Sequence, residues 1–340
     1  MKKRILFILK YREGYNGPSS YGSYFSSGLY WSAKFVVDML VGCGVNAKLV
    51  QVVDNNDIDR EVHKFKPSVV IIEALWVVPE KFDVLKKLHP NVQWVVRLHS
   101  NTPFLAQEGV AVSWILGYAQ HGVSVAVNEK REFDDVEEIL KLHGLEEQVL
   151  YLPNYYPVSY KTVKKHVDLP IIRVGCFGAI RPLKNQLIQA IAAIRFADET
   201  DRTLYFHINA TRIEDGESVL KNIRALFAGT QHFLVENTWM SHEQFMNSLQ
   251  YLDVGMQASL SETFSIVSAD MVNVGLPVVV SSEIKWATSL SKVDPTDSID
   301  ITNGLKRVLT FKGLDVMLNR RNLKHFSGKS KDIWLDFLGV

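Results

Sequence analysis

The chain has 340 residues, of which 47% are hydrophobic, and this length favours two compact domains over one extended core. Its 38 Lys and Arg residues nearly balance 37 Asp and Glu residues, so the net charge of +1 excludes a strong overall field for nucleic acid or anionic membranes. The two cysteines, Cys43 and Cys176, lie in segments predicted as a helix end and a buried strand, which favours reduced thiols over a disulfide framework.

The start of the chain resembles a secretory signal, because a basic N-terminus precedes the apolar run Ile5–Leu9. That run is only about five residues long before Lys10 and Arg12 interrupt it, so a buried first strand is the better interpretation. Every apolar run falls short of the roughly 18 residues that cross a bilayer. We expect a cytoplasmic protein, or one in the host-cell cytoplasm if the chain is viral.

Short apolar strands alternate with amphipathic helices through the first half of the chain. Strands that are apolar on both faces and separated by helices indicate a parallel sheet covered on both sides. The pattern therefore predicts a doubly wound, Rossmann-like domain. Its predicted strands are 5–9, 47–53, 68–73, 93–98 and 123–127, and its predicted helices are 28–41, 58–65, 80–88 and 131–143.

The alternation pauses at Pro153–Pro157 and a polar stretch that reaches Pro170, which we interpret as a linker. We therefore predict domains at 1–156 and 157–330, with a last helix at about 331–340 that packs back onto the first domain. The second half is also predicted to be doubly wound. Its predicted strands are 171–180, 204–210, 232–236, 254–258 and 278–281, and its predicted helices are 186–196, 217–227, 242–252 and 265–274.

The fold class is thus expected to be α/β, with two Rossmann-like domains facing across a cleft. Ligands of such domains bind where the carboxyl ends of the strands meet a crevice. The loop after the strand 171–180 places two cations there, Arg181 and Lys184. A guanidinium and an ammonium suit a pyrophosphate and the charge that builds on it when a glycosidic bond breaks. Cations beside a proline are equally typical of an ordinary turn.

A second loop, after the strand 254–258, runs into a helix that ends at Gly275-Leu-Pro277. The first residues of a helix offer unpaired N–H groups to a phosphate. These residues are Ser265, Ile266 and Val267.

Two carboxylates flank that helix start. Glu262 precedes it and can accept hydrogen bonds from sugar hydroxyls, while Asp270, on the second turn, can accept from a ribose. Alternatively, Glu262 is only a partner of the helix dipole and Asp270 is a solvated helix residue.

These features, in this order, resemble the retaining glycosyltransferases of family four, which have the GT-B fold. The shared motifs are the two cations, a carboxylate pair with seven intervening residues, and the Gly-x-Pro-Val turn at Gly275–Val278. Pro153-Asn154 is similar to the family's Pro-Asn-Gly turn, so the resemblance covers essentially the whole chain. It implies a UDP- or GDP-linked sugar bound mainly on the second domain, an acceptor on the first, and retention of the anomeric configuration.

The resemblance also implies roles for single residues. Arg181 and Lys184 would hold the donor diphosphate, and Glu262 would contact the transferred sugar. Asp270, in place of the family's usual second glutamate, would hold the ribose. The expected catalytic residues are Arg181, Lys184, Glu262 and His99.

Further candidates follow from position. Trp239 and Met240 fall where the family holds the nucleotide base, and Asn209 ends a predicted strand of the second domain. His99 ends a first-domain strand, where a neutral imidazole or its backbone could orient the sugar, although a structural histidine is an equal alternative.

The Gly-, Ser- and Tyr-rich loop 11–28 takes the place of a family loop that touches phosphate and acceptor. Its candidate residues are Tyr15, Gly17, Ser20 and Tyr21. The loop has no Gly-x-Gly-x-x-Gly pattern, which argues against a dinucleotide oxidoreductase.

Neither a metal nor a cofactor is expected, because Arg181 and Lys184 supply the positive charge and the nucleotide sugar is a co-substrate. Asp57-Ile-Asp59 matches the metal motif of another glycosyltransferase architecture, but its context predicts a capped helix start. A basic cluster near the end of the chain predicts either a solvated helix face or a contact with an anionic partner such as nucleic acid. The cluster contains Arg320, Arg321, Lys324, His325, Lys329 and Lys331.

We therefore predict an enzyme that transfers a sugar to a hydroxyl of a glycan, lipid or small molecule. One alternative is a bacteriophage-type DNA glycosyltransferase that acts on hydroxylated pyrimidines. Others are a non-catalytic nucleotide-sugar-binding module and an epimerase of the same architecture.

Overall fold

The computed structural model describes residues 3–11, 28–159 and 170–340, and these residues form two compact units. The first unit comprises the described residues of Met1–Pro18, Ser27–Pro157 and Phe326–Val340. The second comprises the described residues of Val158–His325. Most of the polar stretch that we interpreted as a linker lies outside the described residues.

The first unit is built on a six-stranded sheet. Its strands are β1 (Arg4–Lys10), β2 (Asn46–Val52), β3 (Val69–Glu73), β4 (Gln93–Arg97), β5 (Ser124–Val127) and β6 (Val149–Tyr151). They are ordered β2-β1-β3-β4-β5-β6, and every neighbouring pair is parallel. All five residues of β3 are buried, as expected of an inner strand in a sheet that is covered on both faces.

Six helices of the first unit connect these strands in the described part of the chain. They are α1 (Gly28–Gly42), α2 (Asp57–Phe65), α3 (Lys81–Leu88), α4 (Thr102–Leu105), α5 (Ala111–Gln120) and α6 (Lys130–Lys141). Alternate residues of β1 enter two different cores, one on each face of the sheet. Leu6 and Ile8 belong to one core, and Ile5 and Phe7 belong to the other.

The second unit has its own six-stranded parallel sheet. Its strands are β7 (Ile171–Gly175), β8 (Thr203–Asn209), β9 (Phe233–Asn237), β10 (Val254–Gln257), β11 (Val278–Ser281) and β12 (Lys292–Val293). They are ordered β12-β11-β10-β7-β8-β9. The strand order changes direction between β7 and β10, and such a reversal opens a crevice at the carboxyl ends of the two strands.

Helices flank this second sheet and one of them leaves the unit. They are α7 (Gln186–Glu199), α8 (Glu217–Phe227), α9 (His242–Ser248), α10 (Ile266–Val274), α11 (Ser298–Thr310) and α12 (Lys312–Leu338). The helix α12 begins in the second unit, and its last part belongs to the first unit. There Trp334 is fully buried against Phe7, and its indole N–H donates to the carbonyl of Pro153 over 2.8 Å.

The α/β class with two doubly wound sheets is confirmed, and the ten predicted strands are present. The strand predicted at 171–180 ends at Gly175, because the next residues turn through Gly178, which has a φ of +116°. The strands β6 and β12 were missed because they have only three and two residues. The last helix begins at Lys312 and not at about 331, because polar residues such as Asp315, Asn319 and Ser327 lie on its buried face and obscure the helical period.

The predicted stop of α10 is confirmed at Gly275, which has a φ of +90° and donates its N–H to the carbonyl of Val272 over 3.0 Å. Within the described ranges, no helix is both long and apolar enough to cross a membrane.

Candidate functional site

Two loops of the second unit lie at the point where its strand order reverses. One loop follows β7 and the other follows β10, and these strands are hydrogen-bonded neighbours. The loops are joined directly, because the N–H of Leu260 donates to the carbonyl of Leu183 over 2.9 Å. The side chain of Asn185 also donates to the carbonyl of Ala258 over 3.0 Å. These hydrogen bonds place the predicted cations and the first predicted carboxylate at one edge of the sheet.

The loop after β7 is also fixed to the loop after β8. The N–H of Gly178 donates to the side-chain oxygen of Asn209 over 3.0 Å, and Ile180 pairs with Ile213 in an isolated bridge. Asn209 is buried. Its observed contact therefore supports the loop that carries Arg181.

Arg181 forms an ion pair with Glu214, which lies in the loop after β8. Glu214 also accepts from Arg212, whose Nε lies 2.7 Å away. Burial raises the pKa of Glu214, but the charges of the two arginines lower it further than burial raises it. Two cations share one carboxylate, so the trio keeps a net charge of +1 and remains attractive to an anion.

Lys184 forms an ion pair with Glu262, which lies 78 residues further along the chain. Lys184 ends a short turn of 3₁₀ helix, Pro182–Lys184, and Glu262 lies in the loop that leads into α10. Their side chains are 20% and 12% exposed, so both remain accessible to a ligand. The structure thus joins the two motifs that the sequence identified separately.

The start of α10 lies beside this ion pair in sequence. Ser265 is its N-cap, with a φ of +59°, a left-handed conformation that is uncommon for a residue other than glycine. The hydroxyl of Ser265 accepts from the N–H of Ser268 over 3.4 Å, and Ile266 and Val267 form the half-buried first turn. Strain of this kind concentrates at functional sites, where surrounding structure sustains it.

Asp270 is only 1% exposed, so the alternative that it is a solvated helix residue is wrong. Its carboxylate lies 3.0 Å from Nε2 of His242. We did not select His242 from the sequence. The only signal was the capping box formed by Ser241 and Gln244, which makes His242 the first residue of α9.

Trp239 and Met240 lie between β9 and α9, and both are half-buried. The N–H of Trp239 donates to the hydroxyl of Thr211 over 2.9 Å, and the guanidinium of Arg212 lies 4.8 Å from the centre of its ring. This cation–π contact extends the Arg181–Glu214–Arg212 trio to the segment predicted to hold the base. Arg212 and Glu214 were missed because their loop carries no recognisable motif.

His99 belongs to the first unit, where it follows β4. Its Nε2 is hydrogen-bonded to Glu73, which is fully buried and also pairs with Arg97. Arg97 in turn donates to the side chain of Asn154 over 2.7 Å. Burial lowers the pKa of His99, which favours a neutral ring. Nδ1 of His99 lies 3.4 Å from the amide nitrogen of Asn128, so both ring nitrogens have protein neighbours.

Several other predictions concern residues away from these contacts. The loop candidates Tyr15, Gly17, Ser20 and Tyr21 lie outside the described residues. Asp57 opens α2 and pairs with Arg60 over 2.6 Å, so the predicted helix start is confirmed, but the predicted cap is wrong, because the side chain of the N-cap Asn56 makes no capping hydrogen bond. In the ranges that the structure describes, no group of three or more His, Cys, Asp or Glu residues could hold a metal ion.

The basic cluster near the C-terminus lies on α12 and is not uniformly solvated. Arg321 and Lys324 are exposed. Arg320 is half-buried and donates to the carbonyls of Val272 and Asn273 over 2.9 and 2.7 Å. Arg320 therefore caps the carboxyl end of α10, and assigning it to a solvated face is wrong.

No protein-family model and no curated protein sequence matches this chain, but solved structures resemble it. The α,α-trehalose-phosphate synthase (UDP-forming) from Burkholderia vietnamiensis has a TM-score of 0.70 at 11% identity, covering 99% of this chain and 97% of its own. Sucrose-phosphate synthase from Thermosynechococcus elongatus has a TM-score of 0.66 at 14% identity, covering 98% of both chains. The Escherichia coli trehalose-6-phosphate protein bound with UDP-2-fluoro glucose has a TM-score of 0.69 at 10% identity, also covering 98% of both.

These likenesses, at such low identity, are likenesses of fold. They confirm the GT-B fold that the sequence motifs implied, with one Rossmann-like domain around each sheet.

Proposed function

We propose that the protein is a glycosyltransferase that uses a nucleoside-diphosphate sugar as donor. The observation that carries this proposal is the ion pair between Lys184 and Glu262, beside Arg181 and the start of α10, at the carboxyl edge of the second sheet. That arrangement joins cations for a diphosphate to a carboxylate for sugar hydroxyls. The fold shared with a sucrose-phosphate synthase and a UDP-forming trehalose-phosphate synthase agrees with it.

The departing diphosphate is the group that this site would stabilise. Arg181 can keep one edge of its guanidinium on Glu214 and turn the other to a phosphate, because a guanidinium has five donor hydrogens. Lys184 and the first N–H groups of α10 add positive charge where the leaving oxygen becomes negative. Glu262 would exchange its contact with Lys184 for hydroxyls of the sugar.

The proposed donor is UDP-linked. One structural neighbour is named as UDP-forming and another is bound with UDP-2-fluoro glucose. We propose that Trp239 and Met240 hold the base, while Asn209 supports the loop that binds the diphosphate. GDP remains the second donor nucleotide to test.

The transfer is proposed to retain the anomeric configuration, as the family-four motifs imply, with attack on the face from which the diphosphate leaves. Lys184, Arg181 and Glu262 would act on the donor, and His99 would orient the sugar. We propose an acceptor hydroxyl of a glycan, lipid or small molecule, and no cofactor beyond the donor.

A donor screen by thermal shift tests the proposal. UDP, GDP and their glucose conjugates are each added to the wild type, to Lys184→Met and to Lys221→Met, a control at an exposed lysine on α8 of the same unit. Ligand at 100 times its Kd stabilises a protein by about 2.7 kcal/mol. We expect either UDP and UDP-glucose or GDP and GDP-glucose to raise the melting midpoint of the wild type and of Lys221→Met. The same ligands should raise the melting midpoint of Lys184→Met much less. A flat wild-type screen refutes the proposal.

The protein is then incubated with candidate acceptors and the nucleotide sugar identified in the screen. NMR gives the anomeric configuration of the product. Transfer to 5-hydroxymethylcytosine in DNA would establish the bacteriophage-type alternative, whereas donor binding without any bond cleavage would establish the binding-module alternative. Interconversion of the free nucleotide sugar would establish an epimerase.

A further inference from the structure

We propose that His242, oriented by Asp270, forms the ribose-binding subsite of this chain. This inference rests on the proposed function and refines it, because it moves the contact with the donor ribose from a carboxylate to an imidazole. Asp270 then becomes a positioning residue behind the histidine.

Burial is the first reason. Asp270 is 1% exposed and lies on the second turn of α10, where every residue from Ser268 to Val274 is buried. A short carboxylate at this depth reaches a ligand less easily than the side chain that covers it.

The covering side chain is His242. Its Nε2 lies 3.0 Å from the carboxylate of Asp270, and the side chain remains 15% exposed against 2% for that of Asp270. A carboxylate at one ring nitrogen fixes both the tautomer and the rotation of an imidazole. When Nε2 donates to Asp270, the acceptor of the neutral ring is Nδ1, and this is the atom that would accept a hydrogen bond from a ribose hydroxyl in the proposed subsite.

The position of His242 in the chain agrees with this role. It comes two residues after Met240 and three after Trp239, in the segment that follows the carboxyl end of β9. Trp239 is itself held by Thr211 and Arg212. One short segment would therefore carry both the residues for the base and the residue for the ribose, next to the arginines for the diphosphate.

The competing explanation is that the pair only joins α9 to α10. The two explanations differ in one measurable quantity, the preference for a ribonucleotide over its deoxy analogue. A purely structural pair affects both nucleotides equally. A ribose contact affects only the nucleotide that has the hydroxyls, and one such hydrogen bond corresponds to roughly a five- to tenfold difference in Kd.

The experiment measures the Kd of UDP, 2′-deoxy-UDP and 3′-deoxy-UDP by calorimetry, with the GDP series in parallel. The variants are His242→Gln, His242→Ala and the control His143→Gln at an exposed histidine of the first unit. A glutamine amide can still donate to Asp270 and so preserves the junction between the helices. Melting of the unliganded variants identifies any loss of folding.

We expect the wild type and His143→Gln to prefer the ribonucleotide by roughly five- to tenfold over at least one deoxy analogue. His242→Gln should melt near the wild-type temperature and lose this preference. If His242→Gln and His242→Ala both keep the full preference, the subsite is wrong while the proposed function stands. If the wild type binds none of these nucleotides, the proposed function itself is wrong.

Discussion

Glu262 accepts a charge-assisted hydrogen bond from Lys184, so the two side chains proposed to bind different parts of the donor bind each other. The pairing neutralises each charge at the edge of the sheet. A donor molecule would therefore bind by exchange, with its diphosphate replacing Glu262 on the lysine and its sugar replacing Lys184 on the glutamate.

Replacing Glu262 with Gln should affect the binding of the nucleotide part and of the sugar part of the donor differently. The variant should bind UDP at least as tightly as the wild type, because Lys184 no longer shares its charge with a carboxylate. It should also lose the additional affinity of the UDP-sugar over UDP, and turnover should fall by about a hundredfold or more, in the range for loss of one charge-stabilising contact. Calorimetry with UDP and UDP-glucose tests this, and equal losses for both ligands would contradict it.

The affinity for UDP should depend on the net charge of the trio Arg181–Glu214–Arg212. Arg212→Met leaves one cation against one carboxylate, so the net charge of the trio falls from +1 to zero. UDP should then bind about tenfold more weakly, the effect of losing roughly 1.4 kcal/mol. The double variant Arg212→Met with Glu214→Gln restores the net charge and should recover part of the affinity. No recovery in the double variant would show that Arg212 acts through its geometry and not its charge.

Glu132, in the first unit, should make stability depend on pH. One carboxylate oxygen accepts from the N–H of Thr102 over 2.6 Å, while the other is buried and accepts no hydrogen bond among the described residues. Burial raises the pKa of Glu132 to about 7 from 4.5. The folded state therefore holds the proton more tightly than the unfolded state, and stability falls as pH rises from about 4.5 to 7.

The variant Glu132→Gln removes this proton uptake. It should match the wild type near pH 4 and exceed its free energy of unfolding by up to about 3 kcal/mol at pH 8, since one pKa unit corresponds to 1.36 kcal/mol. Urea unfolding at both pH values measures the difference. Glu138→Gln, at an exposed position of the same helix, is the control. An equal difference at both pH values would contradict the assignment.

Trp334 should be among the most costly residues to truncate in the first unit. It is fully buried, contacts Phe7, and lies 5.4 Å from the guanidinium of Arg97. Trp334→Ala should lower the free energy of unfolding by about 3–5 kcal/mol, whereas Trp334→Phe should lose less because it keeps most of the packing. The exposed Val340→Ala is the matched control. A loss below 1 kcal/mol in Trp334→Ala would contradict the packing.

The fold was largely predictable because its strands are short, apolar and separated by helices with clear periods. Hydrophobic periodicity could not predict helices whose burial is determined by tertiary contacts. The helix α5 is apolar on most sides, and the buried face of α12 contains polar residues, so neither shows a simple amphipathic stripe.

The candidate site was predictable only where a motif existed. Arg181, Lys184 and Glu262 were selected from their spacing, and the structure joins Lys184 to Glu262. The sequence did not identify Arg212, Glu214 or His242 as site residues, because each is recognised only by its contact with a residue from another part of the chain. The burial of Asp270 could not be predicted either, since an aspartate on a helix is usually solvated.

The route of α12 has a consequence for biosynthesis. The first unit takes its last core residues, including Trp334, from the C-terminal part of the chain. N-terminal domains usually complete folding while the ribosome is still adding later ones. This one cannot, because the side chain that fills its core is translated after the whole second unit. On the ribosome the second unit should therefore complete its core first, and a fragment that ends at Pro157 should lack the side chains that complete the core of the first unit.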